Sequence, residues 1–295
     1  MPTIVAESFR FFSLRVLRTR RLGPSLVRVT FDGEDLDDFR SDGLDQSLSL
    51  FLPQPGQSEP VVPVELGDGW WQGWRELPDD VRAVMRSYTL RALRRDPDEI
   101  DIDFVLHGVE PGASVPAGPA SRWAARAAAG DRVLLIGPAM ADNRAIRFRP
   151  PADTDLVVVW GDETAVPAVS AIVEALPAGT RARVWLEVAR SGDVQELVTA
   201  ADAEITWLVR ENRCSEDRGG ENRCGEGSPM ALDALRGAEL PAAERPYVWI
   251  AGESGCVKAL RRHFVHERGI DRRRVTFVGY WRRGLTEEQL RENGD

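Results

Sequence analysis

The chain has 295 residues, long enough for two domains of ordinary size, each with its own core. It carries 38 Lys and Arg against 47 Asp and Glu, so its net charge is −9 at pH 7. This acidic balance favours solubility and argues against a nucleic-acid-binding surface over the whole molecule.

The sequence also lacks the marks of membrane insertion and of a metal site built by the protein. No apolar run approaches the roughly 18 residues that a membrane-spanning helix needs, and the first residues form no signal peptide. The three cysteines and three histidines fit neither a disulfide framework nor a metal-ligand spacing. We therefore expect a cytoplasmic protein whose redox chemistry, if it has any, requires an organic cofactor.

The first half of the chain reads as an antiparallel β domain. Short segments of alternating apolar and polar residues are separated by turns, beginning with a hairpin around Leu22-Gly23-Pro24-Ser25. An Ala-rich helix is predicted over residues 122–129, and residues 84–93 are predicted to form one continuous strand. Six antiparallel strands and one helix predict a small closed barrel over residues 1–148.

A long irregular stretch, residues 53–80, interrupts this pattern. It is rich in Pro, Gly and acidic residues and contains Trp70, Trp71 and Trp74. Such a group of tryptophans is typical of a small satellite core, and the alternative is a contact with a ligand.

After a Pro-rich link at residues 147–153, the pattern changes to continuous apolar runs that alternate with helices. This predicts a doubly wound α/β domain with a parallel sheet over residues 149–295, whose ligands bind at the carboxyl ends of the strands. Thr286-Glu287-Glu288-Gln289 predicts a capping box for a short terminal helix.

A polar insert at residues 210–229 contains the same tetrapeptide twice, Glu211-Asn212-Arg213-Cys214 and Glu221-Asn222-Arg223-Cys224. Its two cysteines could close a bridge or share a metal. The composition and the expected cytoplasmic setting favour a mobile surface loop with a small duplication.

The first candidate site combines a strand with a turn. In Arg86-Ser87-Tyr88-Thr89-Leu90-Arg91, alternation places Arg86, Tyr88 and Leu90 on one face of the strand. A guanidinium can fork onto phosphate and an aromatic ring can stack on a flat heterocycle. About thirty residues later, Gly118-Pro119-Ala120-Ser121 leads into a helix whose N-terminus favours an anion. The pair predicts a nucleotide-cofactor site, and the alternative is a surface Arg beside a half-buried Tyr.

The second candidate site follows the first strand of the α/β domain. Gly161-Asp162-Glu163-Thr164-Ala165 reads as a turn into a helix, with Thr164 as the N-cap, a typical place for a pyrophosphate. The Gly-rich dinucleotide fingerprint is absent. Arg190, after the next strand, lies where a cation would accommodate a 2′-phosphate, which favours NADPH over NADH. Arg190 could equally be a solvated loop cation.

The third candidate site is a helix predicted over residues 255–268. Lys258 and Arg262 are four residues apart on one flank, with Arg261 at its edge. Nine basic residues against two acidic ones lie between Gly255 and Gly284. In an acidic protein, this segment indicates either an anionic ligand or an ordinary solvated surface.

These motifs, taken in order, resemble those of the siderophore-interacting proteins, flavin-dependent ferric-siderophore reductases of the ferredoxin-reductase-like superfamily. The matching stretches run almost from end to end. They are residues 86–91, which look like the family's R-x-Y-T-x-R flavin motif, together with residues 103–108, 118–124, 161–165, 251–253 and 279–284.

The resemblance implies roles for particular residues. Arg86 would bind the flavin phosphates, Tyr88 would stack on the isoalloxazine, and Thr89 would lie near its N5. His107 and residues 118–121 (Gly118, Pro119, Ala120, Ser121) would hold the rest of FAD. A few basic residues would hold the anionic ferric siderophore, for which the candidates are Lys258, Arg261 and Arg262.

The resulting hypothesis is a monomeric, cytoplasmic, FAD-containing, NAD(P)H-dependent ferric-siderophore reductase. A flavin connects a two-electron hydride donor to Fe(III), which accepts one electron at a time. The alternatives are the same scaffold reducing ferredoxin, flavodoxin or free flavin, and a ferric-siderophore carrier without turnover.

Overall fold

The computed structural model describes residues 8–110, 112–113, 116–212 and 229–289. In these ranges the chain divides into two compact units. The first contains the described residues up to Leu22 and Leu26–Ile146, and the second contains Gly23–Ser25 and the described residues from Arg147 onward. The repeated cysteines, Cys214 and Cys224, lie outside the described residues.

The first unit is built on one antiparallel sheet, in the order β4-β3-β7-β1-β2-β6-β5. Two helices accompany it, α1 (Trp70–Glu76) and α2 (Pro119–Arg126). The strands are β1 (Phe9–Arg21), β2 (Leu26–Asp32), β3 (Ser47–Leu52), β4 (Val84–Thr89), β5 (Ala92–Arg94), β6 (Glu99–Val105) and β7 (Arg132–Pro138).

The sheet has seven strands where the sequence predicted six, because the expected strand at residues 84–93 changes partners midway. The Leu90 N–H donates to the Gln46 carbonyl, ahead of β3, whereas the Arg91 N–H donates to the Asp101 carbonyl on β6. The chain thus leaves one end of the sheet and joins the other. Only two residues separate β4 from β5, so the sheet must curl until its two ends approach each other.

Side-chain alternation divides the first unit between two apolar clusters. The main core lies on one face of the sheet and includes Ile100, Ile102 and Phe104 of β6. Trp74 packs with Phe51 in a second cluster on the other side of β3, and its indole N–H donates to the Ala83 carbonyl. The satellite core predicted from the clustered tryptophans is therefore confirmed for Trp74.

Ion pairs line part of the face opposite the main core. Arg18 and Arg94 lie 2.6 and 2.9 Å from the same oxygen of Glu99, and Arg94 lies 2.7 Å from Asp101. Both carboxylates are buried. Hydrogen bonds from Arg18, and then from Arg94, lower the pKa of Glu99 to about 2.

This network predicts a specific acid sensitivity. Since the pKa of Glu99 is lower in the folded than in the unfolded chain, ionised Glu99 stabilises the fold at neutral pH, and the effect fades as the pH falls towards 2. We expect Glu99→Gln to lower the Tm at pH 7 by about 5 °C, with a smaller difference from wild type at pH 3. Scanning calorimetry at both pH values measures this. Glu34→Gln, at an exposed position on the same unit, serves as the control, and a difference that does not shrink at low pH would contradict the prediction.

The second unit contains a five-stranded parallel sheet in the order β10-β9-β8-β11-β12, as predicted for a doubly wound domain. Its strands are β8 (Leu156–Gly161), β9 (Arg181–Val188), β10 (Asp202–Val209), β11 (Pro246–Glu253) and β12 (Val275–Trp281). Its helices are α3 (Val166–Ala175), α4 (Pro229–Gly237) and α5 (Ser254–Arg262). Chain order reverses direction across the sheet between β8 and β11, which makes the carboxyl ends of these two strands the topological switch point.

The last helical turn begins as predicted. The Thr286 N–H donates to Gln289 Oε1, and the Gln289 N–H donates to Thr286 Oγ1. This reciprocal pair is a capping box. None of the helices in the described ranges combines the length and apolar composition needed to cross a bilayer.

Candidate functional site

Strand β4 places the first group of predicted site residues. Antiparallel pairing sets Arg86 opposite Leu50 and Tyr88 opposite Leu48, both of which are buried in the main core. The Tyr88 ring lies 4.4 Å from the Phe104 ring and is half-buried. Arg86 and Tyr88 therefore share the core-facing side of β4, as the alternation predicted.

Thr89, the last residue of β4, points to the opposite side. It pairs with Ser47 and is buried. On the same side of the strand, Met85 belongs to the second apolar cluster. The side chains of Tyr88 and Thr89 thus face different environments, although the two residues are adjacent.

Helix α2 supplies the second group. It begins at Pro119, three residues earlier than the predicted start at Arg122, and Gly118 is its N-cap. No side chain caps this end, and a Cβ added at Gly118 would meet no atom within 4 Å. The first N–H groups of a helix have no partner within the helix. Open space and uncapped N–H groups are what a phosphate requires, so this end of α2 fits FAD.

Ser121 fixes helix α2 to strand β6. Its hydroxyl donates to the Val105 carbonyl and accepts from the His107 N–H, at 3.1 and 3.2 Å. The helix also packs against β2 and β4. The structure therefore brings the Gly118 turn, exposed His107 and the Arg86–Tyr88 side of β4 into one neighbourhood within the first unit.

The second candidate site lies after β8, where Gly161 allows close packing between strand and helix. A Cβ at this position would lie 2.9 Å from both Ala165 Cβ and Val169 Cγ2. Helix α3 has Ala165 as its N-cap and no side-chain cap. The prediction that Thr164 caps this helix was wrong, because the Thr164 hydroxyl donates to Asp162 instead.

Asp162 is buried and its carboxylate is fully engaged. Oδ1 accepts from the N–H and the hydroxyl of Thr164, and Oδ2 accepts from the Glu253 N–H and from Trp281 Nε1, the last two at 2.8 Å. Two carboxylate oxygens offer about four acceptor positions. Burial and the neighbouring Glu163 carboxylate raise the pKa of Asp162 above the ordinary value, and the hydrogen bonds from Thr164, Trp281 and Glu253 act in the opposite direction.

Glu163 is also held within the protein. Arg210 makes a bidentate pair with it, at 2.6 and 2.7 Å, and reaches Glu187 at 3.1 Å. Burial acts to lower the pKa of Arg210, but its pairing with Glu163 raises it above the ordinary value. The three side chains come from the carboxyl ends of β8, β9 and β10, where the Arg210 guanidinium pairs with both buried glutamates. Arg190 is exposed just beyond β9.

The third candidate site lies on helix α5. Lys258 and Arg262 are exposed, as the helical spacing predicted. Arg261 is only partly exposed, and its guanidinium carbon lies 4.5 Å from the centroid of the Phe277 ring on β12. This cation–π contact occupies one side of Arg261.

Sequence reasoning did not identify two residues that organise these sites, Arg210 and Trp281. Arg210 was treated only as the edge of the polar insert. Glu163 and Glu187, at the ends of strongly apolar strands, were a usable signal for Arg210, because buried carboxylates need a cation. Trp281 gave no such signal, since its bond to Asp162 spans 119 positions in the sequence.

Comparison with known proteins matches both units. The family described as "Siderophore-interacting FAD-binding domain" matches residues 15–142, and "Siderophore-interacting protein" matches residues 154–284. The chain is 31% identical to the ferric vibriobactin reductase ViuB of Vibrio cholerae, over 95% of this chain and 92% of that protein. It is 29% identical to the NADPH-dependent ferric-chelate reductase of Escherichia coli, over 95% and 96%.

Solved structures give the same result for the fold. A siderophore utilization protein from T. fusca superposes with a TM-score of 0.71 at 31% identity, covering 95% of each chain. SipS, a siderophore-interacting protein from Aeromonas hydrophila, gives 0.70 at 31% identity over 97% and 96%. The ferredoxin reductase of carbazole 1,9a-dioxygenase, at 14% identity and a TM-score of 0.60, shares the fold. The chain therefore belongs to the siderophore-interacting protein family and has its two-domain, ferredoxin-reductase-like fold.

Proposed function

We propose that this protein is an NAD(P)H-dependent ferric-siderophore reductase that contains FAD. The observation that carries the proposal is the uncapped, open N-terminus of α2 beside the Arg86–Tyr88 side of β4, within a domain that matches the family's FAD-binding description. Relatives named ferric vibriobactin reductase and NADPH-dependent ferric-chelate reductase support it.

In this proposal residues 1–148 form the FAD domain. Arg86 binds the phosphates together with the backbone at Gly118, Pro119, Ala120 and Ser121. Tyr88 provides the stacking surface for the ring system, and His107 contributes at the end of β6. Thr89 lies near the reactive edge of the ring through its backbone, because its side chain is buried on the opposite side of β4. The Ser121 hydrogen bonds support this assignment, because they hold the helix end and His107 together.

Residues 149–295 form the NAD(P)H domain. The turn formed by Gly161, Asp162, Glu163 and Thr164 lies at the switch point, where a doubly wound sheet binds its nucleotide. The side chains of Asp162 and Glu163 are engaged within the protein, so the nucleotide would bind beside the turn without displacing them. Arg190 is exposed just beyond β9, where a cation suits a 2′-phosphate and favours NADPH.

Lys258, Arg261 and Arg262 hold the anionic ferric chelate in this proposal. FAD, held by Arg86, Tyr88 and residues 118–121, would supply the link between the two-electron hydride donor and the one-electron reduction of iron. The reaction balances when one NAD(P)H reduces two Fe(III) to two Fe(II) and releases one proton. The protein's own residues bind and orient the cofactors and the chelate and neutralise their negative charge. Iron is released because hard anionic oxygen ligands hold Fe(II) less tightly than Fe(III).

Steady-state assays with a chromogenic Fe(II) trap test the proposal. We expect NAD(P)H oxidation that depends on a ferric siderophore and forms two trapped Fe(II) per nicotinamide consumed. Turnover with ferredoxin, flavodoxin or free flavin but not with ferric chelates would favour another acceptor, and chelate binding without NAD(P)H oxidation would favour a carrier. We also propose that the protein is a monomer and that it works in the cytoplasm, the compartment where NADPH is supplied. Light scattering on the purified protein tests the oligomeric state.

A further inference from the structure

The ends of three strands in the second unit are joined by one ring of hydrogen bonds, which we call the Asp162 clasp. Its members are Asp162, after β8; Glu253 and Ser254, at the junction of β11 with α5; and Trp281, at the end of β12. Asp162 Oδ2 accepts from the Glu253 N–H and from Trp281 Nε1, and the Ser254 hydroxyl donates to the Trp281 carbonyl at 3.0 Å. The ring is therefore closed.

Glu253 extends the clasp to helix α5. Its carboxylate caps the helix by accepting from the Cys256 N–H at 2.8 Å. The other oxygen of this carboxylate accepts from the Arg283 N–H at 3.4 Å. The position of Glu253 thus determines where α5 begins and where the chain runs after β12.

Two glycines leave room for the clasp. A Cβ at Gly252 would come within 2.5 Å of the Asp162 carboxylate, and its φ of +143° is one that other residues rarely adopt. A Cβ at Gly279 would come within 2.5 Å of Ser254 Oγ. Both neighbouring strands therefore approach these polar groups closely, so the carboxylate cannot shift without losing its donors.

We propose that Asp162 is a positioning residue for the ferric-chelate site, because it holds the N-terminus of α5, and with it Lys258 and Arg262, against the ends of β8 and β12. The assignment of that site rests on the proposed function. The carboxylate itself contacts neither substrate nor nucleotide, since its acceptor positions are filled by Thr164, Glu253 and Trp281.

Asp162→Asn tests this role. The amide keeps the shape of the carboxylate but replaces one acceptor oxygen with an NH2 donor. In one orientation this donor faces the N–H of Thr164, and in the other it faces the N–H groups of Glu253 and Trp281. Asp155→Asn is the matched control: Asp155 also accepts two backbone N–H groups, from Glu244 and Arg245, but it precedes β8 at the opposite end of the strand.

Hydrogen–deuterium exchange on the purified full-length protein provides a readout that needs no substrate. In Asp162→Asn we expect amides of residues 254–262 and 279–284 to exchange roughly tenfold faster, the effect of losing one or two hydrogen bonds to a charged group. Residues 181–188 should exchange at the wild-type rate, and Asp155→Asn should leave residues 254–262 and 279–284 unchanged. Wild-type exchange of residues 254–262 in folded Asp162→Asn would overturn the proposal.

Kinetics then test the link to the chelate. Asp162→Asn should raise the KM for a ferric tris-catecholate roughly tenfold with a smaller change in kcat, whereas Asp155→Asn should not. An unchanged KM would overturn the positioning role, while the absence of chelate reduction in wild-type protein would overturn only the proposed function. If Asp162→Asn does not fold, Trp281→Phe removes the indole donor alone. Faster exchange of residues 279–284 in that variant supports the clasp, and wild-type exchange there contradicts it.

Discussion

Arg86→Ala is expected to yield folded protein that has lost most of its FAD. The guanidinium is half-buried on the core-facing side of β4, in the same neighbourhood as the uncapped end of α2. Removing it deletes the side-chain cation proposed to bind the cofactor phosphates. The affinity for FAD should fall about 10- to 100-fold, the loss typical of one or two charge-assisted hydrogen bonds.

Fluorescence titration of flavin-free protein measures this loss directly. Arg20→Ala removes an exposed arginine from β1 of the same sheet and should leave FAD affinity within about twofold of wild type. Circular dichroism and Tm establish that both variants are folded. Wild-type FAD affinity in Arg86→Ala would show that the phosphates bind elsewhere.

Lys258→Ala combined with Arg262→Ala should weaken the use of an anionic ferric chelate and leave FAD bound. Both side chains are exposed on one flank of α5, which belongs to the second unit and not to the proposed FAD domain. Exposed charges contribute modestly, so we expect kcat/KM to fall about tenfold at low ionic strength and less at 0.5 M salt. The flavin absorbance per protein should not change.

The matched control for this variant is Arg272→Ala with Arg273→Ala. It also removes two positive charges from the same basic segment, at exposed positions in a short 3-10 helix outside α5. If both double variants lose chelate activity equally, the overall charge of the segment is responsible and the flank of α5 has no special role. Unchanged kinetics in Lys258→Ala/Arg262→Ala would show that the flank is solvated surface only.

Much of the fold could be predicted from hydrophobic patterning. Continuous apolar runs such as β8 indicated buried parallel strands, and alternation along β4 indicated which side chains face the core. The strand count was wrong because alternation continues through Leu90 and Arg91, where the backbone changes partners from Gln46 to Asp101. Pairing between distant segments decides such a break, and local pattern does not contain it.

The candidate site could be predicted to a similar depth. Residue types and spacing identified the Gly118 turn and the flank of α5. They could not show that Asp162 accepts a hydrogen bond from Trp281 or that Glu163 pairs with Arg210. Those partners are distant in sequence and meet only at the carboxyl ends of the strands. A motif indicates which groups are present, and only the fold determines what their acceptor positions bind.

Anaerobic stopped-flow spectroscopy tests the central claim most directly. The FAD-loaded protein is first mixed with one equivalent of NADPH, and the visible absorbance of the oxidised flavin is followed. A ferric siderophore and an Fe(II) trap are then added. We expect bleaching by NADPH, followed by recovery of the absorbance together with trapped Fe(II), two for each flavin reoxidised. A flavin that NADPH reduces but that no ferric chelate reoxidises would contradict it.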